Sequence, residues 1–273
     1  MLRSKKLIVG NWKMNPASLD EAKRLMRNFQ FPRPLSPERS SDGGRAISNF
    51  QKAQIVICPP FVYLSALADY RSTRIKNRST LIKLGAQDVF YESEGSYTGE
   101  ISPPMLRDIG VKYVIIGHSE RRALGETNEI VAKKIGACLK YLLTPIVCIG
   151  ESSRDESGNY FSFIRTQIEE IFKNIPRSAL NKIVIAYEPI WAIGKKAIRE
   201  ATPAESEEMA IFIRKVLSNI YDQVNASQVI LLYGGSVNIK NAREFLKSGG
   251  VDGLLVGRDS LDAKKFTEIV KTR

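Results

Sequence analysis

Eight short apolar runs, rich in β-branched residues, recur along the chain, and they constrain its fold more than any other feature. They are Leu7–Gly10, Gln54–Cys58, Leu81–Gly85, Tyr113–Ile116, Pro145–Ile149, Lys182–Ala186, Gln228–Tyr233 and Gly253–Val256. A strand with one wet face alternates apolar and polar residues. These runs are nearly continuous, as expected for strands of a parallel sheet covered on both faces. Between them lie segments with helical spacing: Ser18–Phe29, Tyr63–Tyr70, Met105–Ile109, Glu129–Leu142, Tyr160–Asn174, Ile239–Lys247 and Ala263–Lys271. Ser18 and Glu21 form a capping-box pair, and Thr202-Pro203-Ala204-Glu205 repeats the device with proline at the first helical position.

Eight strand–helix units within 273 residues predict an α/β chain closed as a (β/α)8 barrel, one domain spanning residues 1–273. An open doubly wound sheet is disfavoured, because no G-x-G-x-x-G follows the first run. The stretch from Phe31 to Arg45, with three prolines and two glycines, falls between the first helix and the second strand. It reads as a surface loop insertion rather than a linker.

Composition removes several classes. Apolar residues make up 43% and charged residues 26%, which argues against a disordered chain. There is no apolar stretch of membrane-spanning length, and the N-terminal residues lack the pattern of a signal peptide. Three cysteines (Cys58, Cys138 and Cys148) without a C-x-x-C read as reduced core thiols, so a cytoplasmic location is expected. The net charge of +12 is uneven: residues 1–83 hold 16 basic and 5 acidic residues, whereas 84–273 hold 25 and 24. The basic stretches Arg27–Arg45 and Arg71–Lys83 are read as a solvated face. They lack the interleaved aromatic residues of a nucleic-acid platform, so nucleic acid is not an expected partner.

In a barrel of this kind, active groups follow the C-terminal ends of the strands. Asn11, Trp12 and Lys13 follow the first run. His118, Ser119 and Glu120 follow the fourth, Glu188 the sixth, Gly234-Gly235-Ser236 the seventh and Gly257-Arg258 the eighth. His118 is the single histidine, and it precedes a helix start, where the helix dipole disfavours imidazolium. A neutral ring there can donate an N–H to a substrate oxygen. Glu188 precedes Trp191 and Ile193, and a loop folded over a carboxylate makes it a stronger base. Lys13 supplies a cation for phosphate or developing negative charge. The late glycines let backbone N–H groups approach an anion. Taken singly, these are also a core histidine, a loop carboxylate, a surface lysine and tight turns. Their shared position after strands is what argues for a site.

Gly10-Asn11-Trp12-Lys13-Met14-Asn15, Gly117-His118-Ser119-Glu120-Arg121-Arg122, Tyr187-Glu188-Pro189-Ile190-Trp191-Ala192-Ile193-Gly194 and Tyr233-Gly234-Gly235-Ser236-Val237 together resemble the motifs of the triosephosphate isomerase family, in order and along essentially the whole chain. Gly85-Ala86-Gln87-Asp88 through Tyr97-Thr98-Gly99-Glu100-Ile101-Ser102 is similar to that family's dimer loop. The resemblance implies a TIM barrel that interconverts dihydroxyacetone phosphate and D-glyceraldehyde 3-phosphate through an enediolate, in glycolysis and gluconeogenesis. No redox change occurs, so neither a cofactor nor a metal is implied. The resemblance makes Glu188 the base, His118 the group that polarises the carbonyl, and Lys13 and Asn11 the groups that steady the oxygens. Glu120 is the acid near the lysine, and Ser119 sits against the histidine loop. Gly194, Ser236, Gly257 and Arg258 hold phosphate under a lid running from Pro189 to Ala201. Thr98 supports the neighbouring subunit's site in a homodimer.

Three departures stand out. Lys195-Lys196-Ala197-Ile198-Arg199-Glu200 lengthens the lid by about two residues, against the family's Thr-Gly-Lys pattern. Arg258 replaces the second of two phosphate glycines, and its side chain either adds charge to the pocket or crowds it. The stretch Ala123–Glu126 is one residue short. The altered lid and Arg258 motivate one alternative, an isomerase for a four-carbon sugar phosphate. The basic first third motivates another, a binding protein that keeps the fold.

Overall fold

The computed structural model of the chain describes residues 5–29, 53–74, 82–194 and 197–272. The proposed insertion at 31–45, most of the two basic stretches, and Lys195 and Lys196 lie outside the described residues. Eight parallel strands close into a barrel in sequence order. They are β1 (Lys6–Asn11), β2 (Ala53–Cys58), β3 (Ile82–Ala86), β4 (Tyr113–Ile116), β5 (Thr144–Ile149), β6 (Val184–Tyr187), β7 (Ile230–Tyr233) and β8 (Gly253–Val256). All eight sequence-predicted strands are present. Two of them start later than the sequence suggests, because Lys182 closes a 3-10 turn (Arg177–Lys182) and Gln228 closes a short helix (Gln223–Gln228).

The continuous apolar runs have a direct structural cause. Alternate residues of each strand face opposite ways, and both directions are buried. Leu7 and Val9 of β1, Ile146 and Cys148 of β5, Val184 and Ala186 of β6, and Leu255 of β8 pack in one cluster. Their neighbours Ile8, Val147, Ile185 and Leu254 pack in a second, with residues of the surrounding helices. Cys58, Cys138 and Cys148 are buried and free, as expected.

Two helices start at the caps that the sequence signals. Thr202 accepts from the Glu205 N–H, and the Glu205 carboxylate accepts from the Thr202 N–H, ahead of helix Pro203–Ile220. Ser18 makes only the forward half, accepting from the Glu21 N–H ahead of Leu19–Asn28. The first and last helices meet across the seam of the barrel. Phe29 lies between Trp12 (6.4 Å) and Phe266 (5.5 Å). Among the described residues no helix is long and apolar enough to cross a membrane.

Closure depends on a close approach of β1 to β8, with Leu7 opposite Gly253. A Cβ on Gly253 would lie 1.9 Å from the Leu7 carbonyl oxygen and 2.8 Å from Leu232 Cδ2. Backbone cannot yield as a flexible side chain does. Gly253→Ala is therefore expected to destabilise the fold by about 1–3 kcal/mol or more, read as a lowered thermal midpoint. An unchanged midpoint would show that the seam relaxes freely.

Candidate active site

Because all eight strands are parallel, their C-terminal ends share one rim, and the residues following them meet there. β1 ends at Asn11, which is buried; its Oδ1 accepts from the Lys13 N–H at 3.0 Å. Lys13 has φ +54°, a left-handed conformation uncommon for a residue with a Cβ. Such conformations cost on the order of 1–3 kcal/mol and persist where neighbours enforce them. Here the Gln87 side chain enforces it, donating to the carbonyls of Lys13 (2.8 Å) and Cys58 (2.9 Å). Lys13 Nζ is thereby aimed at Glu120, donating to Oε1 at 2.6 Å.

After β4 the chain turns at Gly117, with φ +69°, where a Cβ would lie 2.9 Å from Val131. The turn makes His118 the N-cap of the short helix Ser119–Arg122. His118 Nδ1 accepts from the Glu120 N–H at 3.2 Å. In the neutral ring the proton is therefore on Nε2, the tautomer fixed by the bond at the other nitrogen. That Nε2 lies 3.3 Å from Glu188 Oε1.

Glu188 follows β6 and is only 2% exposed. Ser119 donates its backbone N–H to Oε2 at 3.0 Å. Oε1 is buried and accepts no hydrogen bond among the described residues. Beneath it lies Cys148, whose thiol is pushed far up in pKa by burial and further by the neighbouring Glu188 carboxylate. Gly150 and Gly234 make room: a Cβ would lie 1.8 Å from the Glu188 carbonyl oxygen in the first case and 2.9 Å from its Cγ in the second. The side chain is a carboxylate withdrawn from water with one oxygen unsatisfied, an arrangement suited to taking a proton.

Above this group opens a cavity of about 570 Å³. Asn11, Lys13, His118, Glu120, Gly194, Ser236, Gly257 and Arg258 all line it. Glu188 does not line it and lies just below, against His118. Carboxylate, imidazole and ammonium thus form one connected group, Glu188–His118–Glu120–Lys13, at the floor of a single cavity. Thr98 lies apart, on an exposed loop that does not reach this cavity.

A family model of triosephosphate isomerase matches residues 6–273. The triosephosphate isomerase of Dictyoglomus turgidum is 40% identical over 270 residues, covering 98% of this chain and 99% of that protein. Those of Thermoanaerobacter pseudethanolicus (42% over 266 residues, 97% and 98%) and Aquifex aeolicus (40% over 268 residues, 97% and 98%) are similarly matched. The chain belongs to the triosephosphate isomerase family. The matches favour that isomerase over one for a four-carbon substrate.

Two supports of this group receive no role from motif reading, although Gln87 stands within the dimer-loop motif. Gln87 follows β3 and holds Lys13 in its unusual conformation. Glu151 follows β5 and gathers the Tyr187 hydroxyl (2.8 Å), the Trp191 indole N–H (2.8 Å) and Arg154 Nε (3.3 Å). Both obey the strand-end rule that singled out His118 and Glu188, and applying it to every strand finds them. A third group, Lys134 with Asp88 (2.7 Å) and Glu126 (2.5 Å), is buried. It depends on helix Asn128–Lys140 packing beside the β3 loop, which no local pattern reveals.

The described part of the segment between Pro189 and Ala201 is anchored at its C-terminal half. Ile198 donates its N–H to the Trp191 carbonyl at 2.8 Å. The Arg199 guanidinium stands 4.5 Å from the Trp191 ring and donates twice to Glu205, at 3.0 and 2.5 Å. At the other end Ser236 donates its hydroxyl to the Ala192 carbonyl at 2.7 Å. The Arg199 hydrogen bonds, aided by the Thr202 N–H, lower the Glu205 pKa from 4.5 to about 2. A depressed carboxylate pKa stabilises the fold above its unfolded value and loses that contribution as pH falls through the folded one. Glu205→Gln is therefore expected to lower the thermal midpoint at pH 6–7. The deficit should shrink as pH falls from about 4.5 towards 2. A deficit independent of pH would mean that the charge of Glu205 contributes nothing.

Proposed function

We propose that this chain interconverts dihydroxyacetone phosphate and D-glyceraldehyde 3-phosphate by proton transfer through an enediolate. The observation that carries this reading is the contact of a buried, half-satisfied carboxylate, Glu188 Oε1, with the Nε2 of a histidine whose Nδ1 is already occupied. In this reading Glu188 takes the carbon-bound proton of one substrate carbon and returns it to the next. To do so its carboxylate leaves the Ser119 N–H and moves up into the cavity. His118 Nε2–H donates to the substrate oxygens and carries protons between them. Lys13 and Asn11 face the same end of the cavity and stabilise the negative charge that develops there. The backbone N–H groups of Gly194, Ser236, Gly257 and Arg258 hold the phosphate. Closure of the Pro189–Ala201 segment excludes water and keeps the enediolate from losing phosphate.

The same reading makes the chain one domain over residues 1–273, cytoplasmic, and a homodimer. Support for the dimer is the exposure of Met14 (93%) beside Lys13, with Met105 (57%) and Tyr97 (44%) next to Thr98 or on the following helix. Large apolar side chains so exposed mark an interaction surface. In the dimer the Thr98 loop of one copy rests against the Asn11 and Lys13 segment of the other. Sedimentation is expected to give twice the chain mass, and a stable active monomer would overturn the assignment.

Turnover of glyceraldehyde 3-phosphate in a coupled assay is the primary test. Glu188→Gln keeps the shape but removes the base, and should lower kcat by about 10²–10⁴-fold. His118→Asn should cost about 10²–10³-fold. In both variants circular dichroism and binding of inorganic phosphate should persist. Near-normal turnover in the Glu188 variant would overturn its role.

A further inference from the structure

Arg199 belongs to the stretch that departs from the family's Thr-Gly-Lys pattern, and the isomerase reading gives it no role. Its side chain is nonetheless held by two partners. It donates twice to the Glu205 carboxylate, at 3.0 and 2.5 Å, and its guanidinium carbon stands 4.5 Å from the centre of the Trp191 ring. An exposed ion pair ordinarily contributes little, because two long side chains must be ordered to make it. Here the carboxylate is already fixed by capping helix Pro203–Ile220, and the paired bonds to it set the same planar group against an indole.

Trp191 is the residue through which this contact reaches the site. It is only 5% exposed, its indole N–H donates to Glu151 Oε1 at 2.8 Å, and its carbonyl accepts from the Ile198 N–H at 2.8 Å. The chain therefore doubles back, and Ile198 and Arg199 clasp Trp191 by its backbone and by its ring. The same Glu151 oxygen accepts from the hydroxyl of Tyr187, the residue before Glu188. Two donors thus converge on one buried oxygen, and a shift of the indole changes what holds Tyr187. On the other side of Trp191, the Ala192 carbonyl accepts from the Ser236 hydroxyl. A second guanidinium, that of Arg154, stands 5.6 Å from the same ring and repels Arg199. Glu205 offsets that repulsion by reaching both, its Oε1 lying 3.8 Å from Arg154 Nη1 and against Arg199 Nη2.

We propose that Arg199 is a positioning residue for the isomerase reaction: by clasping Trp191 to Glu205 it fixes the turn that follows Glu188 and meets Ser236. This inference rests on the isomerase reading for its reaction, but the clasp itself is measurable without turnover. A turn held in place keeps the enediolate covered. In an enediolate left uncovered, the electron pair forms a new C=C bond as the C–O bond to phosphate breaks, and phosphate departs with the electrons of that bond.

The experiment compares the wild type with Arg199→Gln and Arg199→Lys. For each, kcat and KM are measured for glyceraldehyde 3-phosphate, together with the inorganic phosphate released per isomerisation, the thermal midpoint, and acrylamide quenching of tryptophan fluorescence. Trp12 is fully buried, so a change in quenching reports Trp191. Arg199→Gln is expected to lower kcat by about 10–10²-fold, the scale of a misplacement of about 1 Å, while KM changes by less than about threefold. Phosphate release and quenching should both rise severalfold. Arg199→Lys keeps a cation but not the paired donors, and should recover part of each loss. A Gln variant with a lowered thermal midpoint but wild-type kcat, phosphate release and quenching would overturn the proposal, showing that the pair only stabilises the fold. A wild type that does not turn over the triose would overturn the isomerase reading instead. Quenching would still decide the clasp, which stands if the Gln variant is quenched more and fails if it is not.

Discussion

The register of eight parallel strands around a closed ring is the constraint on which the rest depends. Parallel pairing sends every strand out of the barrel in one direction, so Asn11, His118, Glu188, Ser236 and Arg258 emerge on the same rim although they span most of the chain. The ring closes only if β1 lies directly against β8, and there Gly253 leaves the Leu7 carbonyl room to approach. The aromatic contact of Trp12, Phe29 and Phe266 fastens the outer layer over the same seam. The geometry of the site thus follows from backbone packing rather than from the loops that carry the chemistry.

Within that frame, the surroundings of Glu188 are shaped by subtraction. Gly150 and Gly234 remove the side chains that would displace Glu188, the barrel wall excludes water, and one N–H from Ser119 holds one carboxylate oxygen. The other oxygen is left facing His118. A buried carboxylate with an unsatisfied oxygen is costly to maintain. The histidine tautomer is set in a similar way, since the backbone N–H of Glu120 occupies Nδ1 and leaves Nε2 to act. Lys13 is held in a left-handed conformation by Gln87 rather than by its own preference.

The segment between β6 and the next helix is held by contacts at both ends. Here Arg199 stacks on Trp191 and clamps Glu205, the residue that already completes the cap of the following helix. Trp191 is fixed from its other side through Glu151, which also holds the Tyr187 hydroxyl. The Trp191 turn, β6 and the next helix are therefore joined through two carboxylates.

By itself the sequence determined the barrel, because strands buried on both faces must be continuously apolar, and eight such runs leave little choice of architecture. It also determined which residues stand at strand ends, and the grouped motifs located Asn11, Lys13, His118 and Glu188. Tertiary structure alone decided what each of them touches. That Ser119 binds Glu188 through its backbone, that Gln87 governs Lys13, and that Lys134 reaches Asp88 all follow from contacts between residues 46 to 74 positions apart. β6 and β7 start late because Lys182 and Gln228 belong to the turns that precede them. Strand character is written into local apolar pattern, whereas the partner of a buried polar atom is set by whichever element packs against it.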